Sequence, residues 1–310
     1  MESQNNAAKF AFFYMLSLVA LVFMGLSAGM IIFQIINKYI IDILNQNQGS
    51  FSPEQLKFAI SAIIISTPIY YIITKQIHKS LFSGVLSKDS GIRKWLTYFI
   101  LLVTSVIMIG WLIAVVNNFL DGELTTKIIL KAITAIAISA TVFSFYLYDI
   151  KREEVAEKKD KIIKIYFFAS LFVVILVFVA SLFIVESPTE TRNRKVDQSI
   201  LENFSQIESA ANEYYNTNKK LPDSLDMIRE EYRYILEKNI VDPITNEKYE
   251  YKVVDEKNFE ICANFRTSNK NNQDNRFDYY LDQEWQHDAG YQCLNGKVRN
   301  YEGEKPVMIR

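Results

Sequence analysis

Between Ile165 and Val185 the chain reads IYFFASLFVVILVFVASLFIV, twenty-one residues without a charge. A helix needs about 20 consecutive apolar residues to cross the hydrocarbon core of a bilayer, and this run has no polar face to turn toward water. Four comparable stretches precede it: Phe10 to Asn37, Phe58 to Thr74, Trp95 to Val116 and Ile128 to Leu147. After Ser187-Pro188 the sequence becomes polar and stays so to Arg310. The expected architecture is therefore a five-helix transmembrane domain over residues 1–186, followed by a small extracytoplasmic α+β domain over residues 187–310.

Whole-chain averages conceal this division, because half of the 310 residues are apolar and the net charge is only −1. Split after Glu186, the first part carries net +4 and the second net −5. Neither has the concentrated basic face that nucleic-acid binding requires, so that class is set aside. The first apolar run is longer than the apolar region of a signal peptide. Neither a small-residue cleavage pattern nor a lipid-accepting cysteine follows it, so it reads as a retained, tilted helix.

Basic residues resist translocation, so their distribution among short loops sets orientation. Lys9, then Lys75, Lys79, Lys88, Arg93 and Lys94, then Lys151, Arg152, Lys158, Lys159, Lys161 and Lys164 fall on one side, twelve in all. The other side carries only Lys38, Lys57, Lys127 and Lys131. This places the N-terminus in the cytoplasm and the C-terminal domain outside. Arg192, Arg194 and Lys195 run against the pattern, but a long following domain weakens the rule.

Within the membrane half, Ala59 to Ser66 aligns with Ala132 to Ser139 at six identities in eight. Either a helical hairpin has been duplicated, or an Ala/Ile-rich alphabet has converged. Gly25 and Gly29 have the GxxxG spacing that lets helix backbones approach closely, as a dimer contact or as packing within the bundle. Pro68 interrupts the second span and predicts a kink, with Ser66 and Thr67 placed to satisfy the freed carbonyl. Trp95, Tyr98, Tyr14, Tyr146, Tyr148 and Tyr166 lie near span ends and read as interfacial anchors. Lys131 can reach the headgroups by snorkelling.

In the polar half, Val196, Ile200, Phe204, Ile207, Ala211 and Tyr214 recur at three- and four-residue steps and predict an amphipathic helix ending in the cluster Asn216 to Lys220. Asp223 or Ser224 N-caps a second helix. Asp242-Pro243-Ile244-Thr245-Asn246 is turn chemistry; Tyr249 to Val253 alternates as a strand does, with Phe259 to Phe265 as its antiparallel partner.

Two resemblances add to this reading. Phe12-Phe13-Tyr14-Met15-Leu16-Ser17, Phe33 to Tyr39, Gly91 to Tyr98 and Asn118 to Glu123 resemble a bacterial multi-pass membrane family known as domain of unknown function 5671, which implies a membrane domain and no activity. Leu221-Pro222-Asp223-Ser224-Leu225, followed by Asp242-Pro243, Thr245, Tyr249 and Tyr251, is similar to the globular part of type IV pilins and type II secretion pseudopilins. That likeness implies a long helix ahead of a small antiparallel sheet. A pilin, however, begins with its only apolar helix, after a cleaved Gly and with a Glu near its start. Here the equivalent span is the fifth, has no acid, and is followed by Pro188.

Cys262 and Cys293 are the only cysteines, and both fall in the domain expected outside, where disulfides persist. They are expected to pair; a metal pair or free thiols are the alternatives. His287 offers a metal ligand or an acid–base group, or a structural or exposed imidazole. Asp274, Asp278, Asp282, Glu284 and Asp288 form either an oxygen-rich calcium cradle or a solvated face. No Asp, Glu or His falls inside the five spans as delimited, which argues against an ion-coupled transporter. Catalytic, P-loop and dinucleotide motifs are absent, and no cofactor is implied. The sequence thus points to a non-enzymatic protein of the bacterial cell membrane that tethers an outer binding or assembly domain. Its expected partners are the lipid bilayer and another envelope component or a second copy of itself. A small transporter or channel built on the hairpin is the alternative, and a pilus-type assembly subunit ranks below both.

Overall fold

A computed structural model of the chain describes residues 2–40, 50–86, 90–152, 160–270 and 285–298. Lys88, Lys158, Lys159, Asp274, Asp278, Asp282 and Glu284 lie outside the described residues. The chain divides into two compact units, Met1–Val185 and Glu186–Arg310.

The first unit contains α1 (Glu2–Tyr39), α2 (Pro53–Phe82), α3 (Gly91–Leu120), α4 (Thr126–Lys151) and α5 (Lys161–Leu182). All five are long and apolar enough to cross a membrane. The sequence expectation for the second span was too short: α2 has 30 residues, and the shortest of the five is α5 with 22. At its start, the Ser52 side chain accepts the Gln55 N–H and Pro53 occupies the first turn, where a missing N–H costs nothing. At its end, Lys75 to Phe82 stays helical although it carries two lysines, because Ile77 and Leu81 bury themselves with Phe10 and Leu86. Pro68 sits inside this continuous helix. The hydroxyls of Ser66 and Thr67 are buried without a hydrogen-bond partner, so they do not satisfy the carbonyl that Pro68 frees.

α1 is the hub of this unit and touches each of the other four helices. Its Ala20, Met24, Ala28 and Ile31 pack with Leu56, Ala59 and Ile63 of α2 and Val174 and Val177 of α5. Small residues on α1 let the backbones close up, as helix pairs in lipid require. Gly25 and Gly29 face Ile138 of α4, which would lie 3.9 and 3.6 Å from an added Cβ. Their spacing therefore serves a contact within the unit. Gln34, almost fully buried, accepts the Ser52 N–H at 2.8 Å and donates to Gln55 at 2.8 Å. Asn37 donates to the Ser50 carbonyl. The end of α1 is thus tied to the start of α2 by polar side chains. The aligned positions of the two hairpins share environments: Ala59 and Ala132 are buried, as are Ser66 and Ser139. Ser61 and Thr134 both bond the carbonyl four residues back.

In the second unit, α6 (Pro188–Asn218) begins with Ser187 as N-cap, its hydroxyl accepting the Glu190 N–H, and ends where Lys219 takes a left-handed conformation at φ 56°. The apolar stripe of α6 packs Ile200, Phe204, Ile207 and Ala211 into one core with Leu225 and Ile228 of α7 (Leu225–Glu231) and with the sheet. Ser224 is the N-cap of α7. The antiparallel sheet has the order β1 (Glu250–Val253), β2 (Asn258–Phe265), β3 (Gly290–Lys297). The third strand was not expected from the sequence, since Gln292, Asn295 and Lys297 dilute its alternation and two glycines punctuate it.

Gly296 pairs with Phe259 across the two strands. A Cβ on Gly296 would stand 2.3 Å from the ring of fully buried Phe259. Gly296→Ala is expected to destabilise this unit by about 1–3 kcal/mol, the usual cost of overpacking a core. The companion change Phe259→Leu should recover part of that loss in urea unfolding followed by Trp285 fluorescence, with Trp95 and Trp111 replaced by Phe.

Candidate functional site

The antiparallel turn between α3 and α4 brings the first turn of α3 beside the last turn of α4, and there the first unit concentrates its polar groups. Arg93 is 2% exposed. Its Nη2 donates to the Asp149 carboxylate at 2.9 Å and to the Asp149 carbonyl at 2.7 Å. Arg152 binds the other carboxylate oxygen and lies 3.7 Å from Asp160 at the start of α5. The Tyr148 hydroxyl donates to Asp160 at 2.8 Å. Burial pushes the Asp160 carboxyl up, but Tyr148, the Ile162 and Ile163 backbone N–H groups and Arg152 outweigh it and hold it below the ordinary carboxylate range.

Next to this cluster lie two small cavities of about 70 and 30 Å³. His78, Thr74, Phe145 and Tyr146 line both. The larger is bounded further by Tyr70, Tyr71 and Tyr166, the smaller by Tyr14 and Asp149. The Tyr71 hydroxyl meets Ser170 at 2.7 Å, and Tyr166 donates to Ser144 at 3.1 Å. The Tyr14 hydroxyl is buried without a partner. Only part of the expected aromatic belt is therefore outward: Trp95 and Tyr98 are exposed, whereas Tyr14, Tyr146 and Tyr166 turn inward.

His78, Arg93 and Asp149 were missed as a group because each lies just outside the apolar run that delimited its span. Helices that continue past those runs bring all three into the packed region. The signal available in the sequence was Asp149 itself, an acid one turn from apolar Phe145 on a stretch with helical spacing.

The second unit has its own buried polar network. Asp197 on α6 is 2% exposed and accepts the backbone N–H groups of Arg266 and Thr267 at 2.9 and 2.7 Å and the Thr267 hydroxyl at 2.7 Å. Asp242 accepts the Ile244 and Thr245 N–H groups at 2.7 and 2.9 Å, closing the expected turn, and binds Arg266 at 3.2 Å. Burial pushes the Asp242 carboxyl up; the two N–H groups and Arg266 more than offset it and hold it low. This network joins the long helix, the turn and the end of β2.

His287 is 1% exposed and stacks on Phe265 with ring centroids 3.8 Å apart. Its backbone N–H donates to Asn269 at 2.8 Å and its carbonyl accepts from Asn269 and Ser268. Burial lowers its affinity for a proton. Asp288 is paired with Lys270. Among the described residues no group of three or more His, Cys, Asp or Glu is arranged to hold a metal ion. Cys262 and Cys293 form a disulfide and face each other in the β2–β3 register.

His287 and Asp242 both hold a lower pKa in the fold than in the unfolded chain, so the unfolded chain binds more protons. Their stabilisation is present above the unfolded pKa and is lost as pH falls through the folded one. The urea midpoint of this unit should therefore decline in two stages, the first starting near pH 6.5 and the second near pH 4. His287→Phe should remove the first stage and leave the second.

Residues 11–144 match a family model described as Domain of unknown function (DUF5671). The match covers most of the five-helix unit and none of the second. No curated protein and no solved structure matches the chain, so the likeness of the C-terminal unit to pilins gains no support from them.

Proposed function

We propose that this chain is a multi-pass protein of the bacterial cell membrane whose five helices anchor a disulfide-closed domain on the extracytoplasmic side, where it binds another envelope component or a second copy of itself. The observation that carries this reading is the surface of the helical unit. Leu102, Ile113, Phe168 and Phe172 are each about 60% exposed, and comparable side chains cover α3 and α5. Apolar patches of this extent are untenable in water but suit lipid. The excess of Lys and Arg at the ends where α2, α4 and the α5 start lie favours those ends as cytoplasmic, which puts the unit after α5 outside. Pairing of Cys262 with Cys293 suits an oxidising compartment. Reporter fusions at residue 310 and thiol trapping of Cys262 and Cys293 in intact cells test this. A C-terminal unit that reports as cytoplasmic, with both thiols reduced, would overturn it.

A second reading, a small transporter or channel, is favoured by one observation, the cavities beside His78, Arg93 and Asp149. Solute flux across reconstituted vesicles that is abolished by His78→Ala would favour transport over tethering.

A further inference from the structure

Strands alternate their side chains between two faces, and on β2 the residues Phe259, Ile261, Ala263 and Phe265 belong to the core shared with α6. Cys262, between them, therefore lies on the opposite face of the sheet. Its partners across the sheet are Glu250 on β1 and Cys293 on β3, so the three residues form one row. Cys293 is exposed, and so is Asn264, two residues along β2 on the same face. Cys262 is only 2% exposed. The two halves of one disulfide thus differ sharply in access.

The cover over Cys262 comes from side chains that cross the sheet. Tyr291 stands two residues before Cys293 on β3 and so shares its face. The Tyr291 hydroxyl donates to the Glu250 carboxylate on β1. Because β2 lies between β1 and β3, the phenol ring and the Glu250 side chain meet over β2, beside Cys262. Lys252 binds the same carboxylate at 2.7 Å and steadies the far end of this roof.

We propose that Cys293 is a thiol–disulfide exchange site, open to the thiolate of a dithiol protein reductant, while Tyr291 and Glu250 bar the same attack on Cys262. In the first step the partner's thiolate bonds to Cys293 Sγ. The Cys262–Cys293 bond breaks, and its electron pair leaves on Cys262 Sγ, which takes a proton from water. The partner's second thiolate then attacks the partner sulfur held by Cys293 and expels the Cys293 thiolate, which is protonated in turn. Two electrons pass to the bridge, and the partner leaves as a disulfide. Which sulfur is attacked depends on access, and here access is one-sided. The covalent intermediate therefore runs through Cys293 alone.

The test uses the full chain purified in detergent. After incubation with reduced glutathione, quenching in acid and digestion, the unaltered chain should carry the glutathionyl group on the peptide containing Cys293. Single-cysteine variants then give the two rates separately, with oxidised glutathione as the disulfide that each free thiolate attacks. Cys293 in the Cys262→Ser chain should be modified roughly tenfold faster than Cys262 in the Cys293→Ser chain, because a covered thiol reacts only when the fold opens around it. Adding Tyr291→Ala to Cys293→Ser removes the roof and should bring the Cys262 rate close to that of Cys293. Tyr291→Phe, which keeps the ring and loses its tether, should fall between. If the single-cysteine variants do not fold, the position of the adduct in the unaltered chain still decides. An adduct on Cys262, equal rates in the two folded variants, or a Cys262 rate indifferent to Tyr291→Ala would overturn the site. So would a bridge that reacts with glutathione only in urea strong enough to unfold the unit.

Discussion

Asp149→Leu is expected to cost the five-helix unit about 3–5 kcal/mol, the usual penalty for removing one member of a buried ion pair. The size follows from what is left behind. The Arg93 and Arg152 side chains are only 3% and 9% exposed; both lose the Asp149 carboxylate, and Arg152 keeps only the more distant Asp160 at 3.7 Å. The loss does not come from the attraction alone, because the same pair has to be stripped of water on folding, which cancels much of its Coulombic gain. A cycle separates these contributions. Arg93→Met/Asp149→Leu removes a charge of each sign and should recover a substantial part of the loss. Thermal unfolding in detergent reads all four proteins. If Asp149→Leu and the unaltered chain melt together, the pair does not hold α3 to α4. If the double variant melts below both single ones, packing rather than charge sets the cost.

Breaking the bridge between Cys262 and Cys293 should destabilise the second unit by about 3–4 kcal/mol on the chain-entropy account, given the 31-residue separation of the two cysteines. The effect is expected in the unfolded chain, which gains freedom once that loop opens. Native contacts change little, because the β2–β3 ladder from Asn258–Lys297 to Phe265–Gly290 and the buried Phe259, Ile261 and Phe265 already hold these strands together and to the core. Amide hydrogen exchange of the full chain, with and without reductant, should show the loss as faster exchange across β2 and β3. Protection in α1 to α5 should stay constant. An unchanged exchange pattern in β2 would show that the sheet, and not the bridge, limits opening of this unit.

The apolar runs made the five long helices legible, because a bilayer-length run leaves few alternatives. The ends of those helices were not legible from hydropathy. His78, Arg93 and Asp149 continue their helices beyond the last apolar residue, since neighbouring helices supply partners that a single segment does not reveal. In the polar half, the stripe from Val196 to Tyr214, the Ser224 cap and the Asp242 turn were each visible, being local devices with local causes. Asp197 was not, because its three donors come from residues about seventy positions away. β3 was hidden for a related reason: Gly296 makes sense only once Phe259 lies across from it. His287 offered chemistry by residue type, yet its ring is packed on Phe265, so residue type alone does not make a site.

The central place of α1 also orders the making of the protein. It precedes the other four helices of its unit in synthesis, and α2, α3, α4 and α5 each touch it. A growing chain that inserts its helices one by one therefore offers α2, and later α5, a partner already in place, whereas α3 packs mainly on α4, the helix that follows it. The last tie is made at the end of the unit, where Lys38 Nζ reaches the Ile184 carbonyl at 3.4 Å. The five helices are thus closed off just as the ribosome begins the domain that follows them.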